Sequence, residues 1–316
     1  MKRNAIDILR RGLDNTIANR GLIVVRLVET LVFAAIAVLT VLVVLLPIAV
    51  SVGIEVSQIS SPEDLESALL NLMQKWILLV WIFVAVSVVV LIFVALHAFV
   101  EAGCARVYVD GERMAGPAAE GERSRFHVFS VERWYTGAKD GWWPVFWIYN
   151  FAWGVAGLIF LIPLLPTLIV TLVFRETPAV AITGGCIGLL VTVMLMIVVG
   201  FVTGMWTERA IVNWAAHRTT ASAALADAWQ SIKRDLGRHL LVAVAMIVIA
   251  IAGSSIFASF SYLAAFGQMM NDSAAFAIAT MPLRMAGMFF NSIFSAIVSS
   301  WYLASYAALA VEDAKG

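Results

Sequence analysis

Six apolar runs, each at or above the roughly 20 residues a helix needs to cross a bilayer, occupy most of this chain and dictate its class. They cover about residues 21–53, 76–100, 144–174, 179–205, 240–266 and 282–310. Of the 316 residues 62% are hydrophobic and only 13% charged, where soluble domains run at roughly 45–50% and 25%. A soluble core of this length could not hide so much apolar surface, so lipid is the solvent for much of the chain. The expected fold is all-α and integral to a membrane, one domain over residues 1–316. Several runs exceed 25 residues and should tilt or project beyond the hydrocarbon. Pro47, Pro163 and Pro166 fall inside the first and third runs and should kink them or mark where they leave the slab.

The basic stretch at the N-terminus is long, and the apolar run after it far exceeds the h-region of a signal peptide, so a retained first span is expected. Orientation follows from Lys and Arg in the connections. The N-terminal segment holds Lys2, Arg3, Arg10, Arg11 and Arg20. The second connection holds Arg106, Arg113, Arg123, Arg125, Arg133 and Lys139. The fourth holds Arg209, Arg218, Lys233, Arg234 and Arg238. Against these sixteen, the alternate connections hold only Lys75, Arg175 and Arg284. Strict alternation predicts a multi-pass protein of a bacterial plasma (inner) membrane with both termini cytoplasmic. The first outer connection is acidic, and Ser61-Pro62-Glu63-Asp64 predicts a helix start there. A tight turn is expected at Arg175-Glu176-Thr177-Pro178.

Three segments before the odd-numbered spans share a pattern. Ile6, Leu9, Leu13 and Ile17 lie on one helical face, as do Leu225, Trp229, Ile232 and Leu236, with a shorter version in Val131, Trp134, Tyr135 and Ala138. Each segment ends at a glycine beside a basic residue, namely Gly21, Gly141 and Gly237. They are expected to be amphipathic helices in the inner interface, the glycine letting the chain turn into the bilayer. The six spans thus group as three hairpins, each preceded by an amphipathic interfacial helix, with candidate repeats at residues 4–111, 130–218 and 222–312. The alternative is that any such hairpin carries basic interfacial flanks. Gly111 is a candidate helix C-cap after the second span.

Charged groups inside spans are costly and count as functional candidates. Arg26 and Glu29 lie near the start of the first span, as a proton or substrate site or as an interfacial ion pair. His97 and Glu101 are four apart near the inner end of the second span, in hydrogen-bond register, and Glu208 sits at the matching end of the fourth. These could serve a proton relay, or tie the even spans to the interfacial helices. Asn150 and Asn291 are neutral polar groups at depth that line a pocket or bond across helices. Gly184-x-x-x-Gly188 and Gly200-x-x-x-Gly204 would place the fourth span centrally, or form a homodimer seam. Trp134, Trp142, Trp143, Trp206, Trp214 and Trp301 cluster at expected interfaces as an aromatic belt.

The sequence holds no metal spacing, and His97, His127, His217 and His239 are scattered. Cys104 and Cys186 fall near opposite ends of different spans and are not expected to pair. No cofactor is implied. Nucleophile elbows, zinc-protease helices, phosphate loops and paired deep carboxylates are all missing, which argues against an enzyme.

The opening Ile8-Leu9-Arg10-Arg11-Gly12-Leu13, the stretch Ala102-Gly103-Cys104-Ala105-Arg106 followed by Asp110-Gly111, and Ala224-Leu225-Ala226-Asp227-Ala228-Trp229 give the chain a likeness. It resembles bacterial six-span membrane proteins related to the membrane domain found fused to some glycerophosphoryl diester phosphodiesterases. The resemblance implies a fold and a location. The phosphodiesterase catalytic domain is missing, so no catalytic residue carries over.

The first functional expectation is a non-enzymatic scaffold or assembly partner that meets membrane lipids, other membrane subunits or further copies of itself, and no nucleic acid. The second is a transporter or lipid-handling permease using Arg26, Glu29, Asn150 and Asn291. The third is an enzyme acting on lipid headgroups, which requires His97, Glu101 and Glu208 to converge on one reacting centre.

Overall fold

The structure is a computed structural model that describes residues 3–42, 76–116, 122–174, 177–270 and 274–314. Pro47, the helix start at Ser61 and the turn residues Arg175 and Glu176 lie outside the described residues. Among the described residues there is no strand, and eight α-helices make up the fold. They are α1 (Ala5–Ala18), α2 (Gly21–Thr40), α3 (Trp76–Ala115), α4 (Val131–Val173), α5 (Pro178–His217), α6 (Ala221–Arg234), α7 (Leu236–Met270) and α8 (Ala274–Asp313), with a 3-10 turn at Arg123–Phe126. Six of them, α2 to α5 with α7 and α8, are long and apolar enough to cross a membrane. The chain is a multi-pass membrane protein.

Contacts divide the chain into two compact units, residues 24–97 and the remainder. The smaller unit holds the first two spans. Phe33 meets Phe93 edge-on at 4.8 Å between ring centres, and Glu29 reaches His97.

In the larger unit α4 pairs with α5 and α7 with α8, while α8 also packs on α1 and α5. The buried core gathers at the end of these helices where α1 packs and α8 ends, called the base below. Ile8, Tyr108, Ile148, Ile211 and Leu309 are among its fully enclosed side chains. Of the apolar stretch of α8 61% is buried, against 6% of that of α5, so the sixth span and not the fourth is central. The reason is visible at the glycines. Gly184 and Gly188 serve the α4–α5 hairpin, where added methyl groups would strike Val170 and Thr167. Gly200 and Gly204 line a small cavity shared with Met246 of α7 and Val298 of α8, where an added methyl group would meet nothing within 4 Å.

The introductory segments depart from expectation in instructive ways. α1 breaks at Asn19 and α6 at Asp235, ahead of Gly21 and Gly237, and neither glycine has a positive φ. Gly21 is needed for room, because the Phe129 ring lies against it. The third segment is no separate helix. It runs without interruption into its span as α4, through Pro144, Pro163 and Pro166. Gly137 and Gly141 permit close approach of Arg106 and Trp214 rather than a turn. Gly111 likewise lies inside α3 against the Phe126 carbonyl, and the chain leaves that helix at Gly116, with φ 63°.

α1 buries a face beside its apolar stripe, and Leu9 of the stripe packs against the core. Ile8, Gly12, Asn15, Thr16 and Asn19 are enclosed, while Ile6 is 75% exposed and Ile17 is also exposed. Asn19 is the reason the break holds. Its amide donates to the Phe126 carbonyl at 2.8 Å, and its carbonyl accepts the Val128 and Phe129 N–H groups at 3.0 and 2.9 Å. Asn15 donates to the Tyr108 carbonyl at 2.9 Å.

Aromatic side chains on the even spans clasp the three introductory segments. Trp301 of α8 donates its indole N–H to Leu9 O of α1 at 2.7 Å, and Trp206 of α5 donates to Leu225 O of α6 at 2.8 Å. Leu9 and Leu225 are each the fifth residue of a 14-residue helix. Phe99 of α3 packs edge-on against Trp134 and Tyr135 at the start of α4. The clasps run in cyclic order, second span to third segment, fourth to fifth, sixth to first.

Gly12 tests the packing against helix propensity. Alanine should favour an isolated helix by about 1 kcal/mol. Here the added carbon would lie 2.8 Å from Ser305 N and 2.9 Å from its Cα, which is backbone and cannot rotate away. Gly12→Ala is therefore expected to destabilise by about 1–3 kcal/mol in a detergent unfolding titration. An increase in stability would mean that α1 does not dock on α8.

Candidate functional site

The charged residues of the base sort into two groups with different partners. The first group surrounds the end of α8. Glu312 and Asp313 stand at a helix C-terminus, where carbonyl dipoles already concentrate negative charge. Donors from three other elements answer them. Arg209 of α5, 1% exposed, reaches Asp313 at 2.5 Å. Arg238 at the start of α7 holds Asp235 at 2.6 Å and Glu312 at 3.2 Å. Arg3 donates its backbone N–H to Glu312 at 3.0 Å. Its side chain and that of Arg11 meet Glu112 of α3, each at 2.8 Å, where Glu112 is 1% exposed. Arg11 also donates to the Gly116 carbonyl at 2.8 Å and lies over the Phe126 ring.

The second group surrounds the end of α5. The last carbonyls of that helix lack intrahelical donors, because Arg218 ends it with φ 56°. Arg106 donates to Ala215 O at 3.2 Å, and Arg113 to Ala216 O at 2.5 Å. Arg218 lies over the Trp214 ring, 5.2 Å from its centre, with Asp140 at 3.9 Å. Burial, then repulsion from Arg106, pulls the Arg218 guanidinium below its ordinary range, and Asp140 and Asp110 oppose the shift. Arg133, in the first turn of α4, donates to its neighbouring Val128 carbonyl at 3.2 Å. These guanidiniums line a hollow of about 590 Å³ between the ends of α3 and α5 and the start of α4.

The residues singled out from sequence divide between the two units. In the smaller unit Arg26 and Glu29 are buried, and Glu29 Oε1 lies 2.6 Å from His97 Nδ1. In the larger unit Glu101 is buried on α3, and Glu208 lies close enough to Tyr302 and Tyr306 to act on both electrostatically. Asn150 donates to Phe146 O of its own helix at 2.7 Å, a bond within the span and not across it. Asn291 keeps a buried carbonyl oxygen without a hydrogen-bond partner among the described residues. Both cysteines are free thiols, Cys104 buried and Cys186 exposed. Among the described residues no three His, Cys, Asp or Glu side chains come together as metal ligands would.

Sequence reasoning missed Glu112, Asn19 and Asp313. Asp313 stands just beyond a long apolar run, which is the one signal that could have marked it, and Glu112 carries no such sign. Neither does Asn19. Comparison with known proteins finds no matching family model, no matching curated protein and no matching solved structure.

Arg209 gives a sharp test of the first group. Asp313→Asn leaves its guanidinium enclosed without a full counter-charge, an error worth about 3–5 kcal/mol. Unfolding titrations should show that loss, and the Arg209→Met, Asp313→Asn double variant should recover part of it. A double variant weaker than Asp313→Asn alone would contradict the pairing.

Proposed function

We propose that the chain is a non-enzymatic scaffold or assembly partner of a bacterial plasma (inner) membrane, with both termini cytoplasmic. The observation that carries the reading is where the buried charge goes. Glu112 and Arg209, each 1% exposed, are engaged with Arg3 and Arg11 and with Asp313, so two of the most enclosed charges in the chain hold helices together. Catalytic groups instead converge on an open reacting centre. The spans complement this. Only 6% of the apolar stretches of α4 and α5 is buried within the chain, leaving broad surfaces for lipid or for neighbouring helices. Gly154 and Gly157, where an added methyl group would meet nothing within 4 Å, would let such helices approach closely. The likeness to six-span proteins related to a phosphodiesterase membrane domain belongs to the same reading, for fold and place alone. Orientation rests on the sixteen basic residues against three in alternate connections.

A lipid-handling permease is the second reading, favoured by one cleft. Val155 of α4, Val198 and Trp206 of α5, and Leu225 and Trp229 of α6 line an apolar space of about 450 Å³, of a size and character to take an acyl chain.

Two measurements separate these readings. Purification in mild detergent followed by light scattering should give a homo-oligomer or a complex of fixed stoichiometry. A monomer that brings down no partner would count heavily against the scaffold. A C-terminal green fluorescent protein fusion should fluoresce in cells, since that tag folds poorly once exported, and a dark but stably expressed fusion would reverse the orientation.

A further inference from the structure

The hollow at the end of α5 has a charge imbalance that the rest of the base lacks. Four arginines line it, Arg106, Arg113, Arg133 and Arg218, against two carboxylates, Asp110 and Glu132. Asp110 is already held by Arg106 at 3.1 Å. Arg113 and Arg133 donate to the Ala216 and Val128 carbonyls, and neither has a carboxylate partner among the described residues. Each guanidinium carries five N–H donors, so both keep donors for another acceptor. Ser130, the N-cap of α4, also lines the space, so the positive end of that helix dipole opens on the same hollow. A cavity of about 590 Å³ is far larger than a hydrated halide requires and lies in the range of small-ligand sites.

Position narrows the ligand. Trp142, Trp143 and Trp147 are exposed on α4 and mark where the apolar slab begins. At 1.5 Å per residue, Arg133 lies about 15 Å along the helix from Trp143, which brings its extended side chain to the headgroup layer or just beyond. Planar guanidinium groups suit the paired oxygens of a phosphate better than a point charge would.

We propose that this hollow binds a phosphate group, carried by an anionic lipid headgroup or by a soluble phosphorylated compound, with Arg113 and Arg133 as its principal ligands. The site stands whether or not the chain assembles with partners, because its lining comes from one chain. Arg106 and Arg218, each already facing a carboxylate, complete the lining, and Ser130 offers a hydroxyl.

The test uses the full chain. In one arm, detergent-solubilised protein is titrated with phosphatidylglycerol or with phosphatidylcholine and the bound lipid is counted by native mass spectrometry. In the other, protein in phosphatidylcholine nanodiscs is titrated calorimetrically with glycerol 1-phosphate and with inorganic phosphate. Saturable binding of one equivalent is expected, of phosphatidylglycerol if the source is lipid or of a soluble phosphate if it is not. Arg113→Gln with Arg133→Gln should weaken it roughly tenfold or more, since two charge-assisted contacts are lost. Arg20→Gln with Arg234→Gln, the same change in net charge elsewhere on the base, should leave it unchanged. Arg113 also caps α5, so Arg133→Gln alone, at an exposed side chain, provides the variant that keeps its fold. Absence of saturable binding in both arms, or equal weakening by the two double variants, would overturn the proposal.

Discussion

The contact between Arg209 and Asp313 is the one on which the base depends. An arginine that is 1% exposed has nowhere else to place its charge, and Asp313 stands at the negative end of α8. Breaking such a pair costs far more than it contributes by forming, because the survivor is left enclosed in a medium of low polarity. The pair therefore acts as a register mark. It fixes where α5 meets α8, and Arg238 and Arg3 then bring the start of α7 and the N-terminal segment to the neighbouring Glu312. Once these are set, Gly12 lies against Ser305 and the Trp301 indole reaches Leu9 O.

This concentration of specificity at one end follows from the solvent. Between apolar helices in lipid there is no hydrophobic force, so leucine and valine surfaces on the spans do little to select partners. Selection passes to hydrogen bonds, ion pairs and close contacts at small residues. In this chain most of those lie where the spans meet the introductory segments. The clasps by Trp206 and Trp301 carry the same logic, since an indole N–H in a half-apolar layer has few acceptors and the Leu225 and Leu9 carbonyls supply them. α1 serves both media at once. Its enclosed face of Ile8, Gly12, Asn15 and Asn19 meets protein, while Ile6 and Ile17 remain exposed on the other side, where an interface would receive them.

Legibility in the sequence divides along the same physical line. The six spans were readable because hydropathy sums over about 20 residues and needs no partner. The break at Asn19, by contrast, rests on contacts to Phe126, Val128 and Phe129, over a hundred residues away, which no local pattern encodes. Gly21, Gly111 and Gly141 misled for a related reason. Each looked like a turn or cap, and each is instead a space that Phe129, the Phe126 carbonyl or Trp214 fills. The 3.6-residue period groups Ile6, Leu9, Leu13 and Ile17 on one face, yet Leu9 packs against the core while Ile6 and Ile17 are exposed, because periodicity says only that two faces differ. It cannot say which one meets protein when the opposite side is lipid. The candidate site was legible as a series of arginines at residues 106–133, matched there by as many acids, and not as a place, because the third wall is Arg218 from the end of another span.

Formal net charge is zero, yet the base does not present zero field everywhere. The acids at Glu112, Glu312 and Asp313 are drawn into the packed hub, where Arg3, Arg11, Arg209 and Arg238 balance them. What is withdrawn there is missing at the end of α5, where Arg113 answers a carbonyl. A backbone carbonyl satisfies a donor but cancels no charge, so a helix end capped by arginine is neutral in hydrogen bonding and positive in potential. The same residue type thus performs opposite tasks a short distance apart. Beside carboxylates it closes the fold, and beside carbonyls it leaves its charge uncancelled on the side of the base where α3 and α5 end and α4 begins.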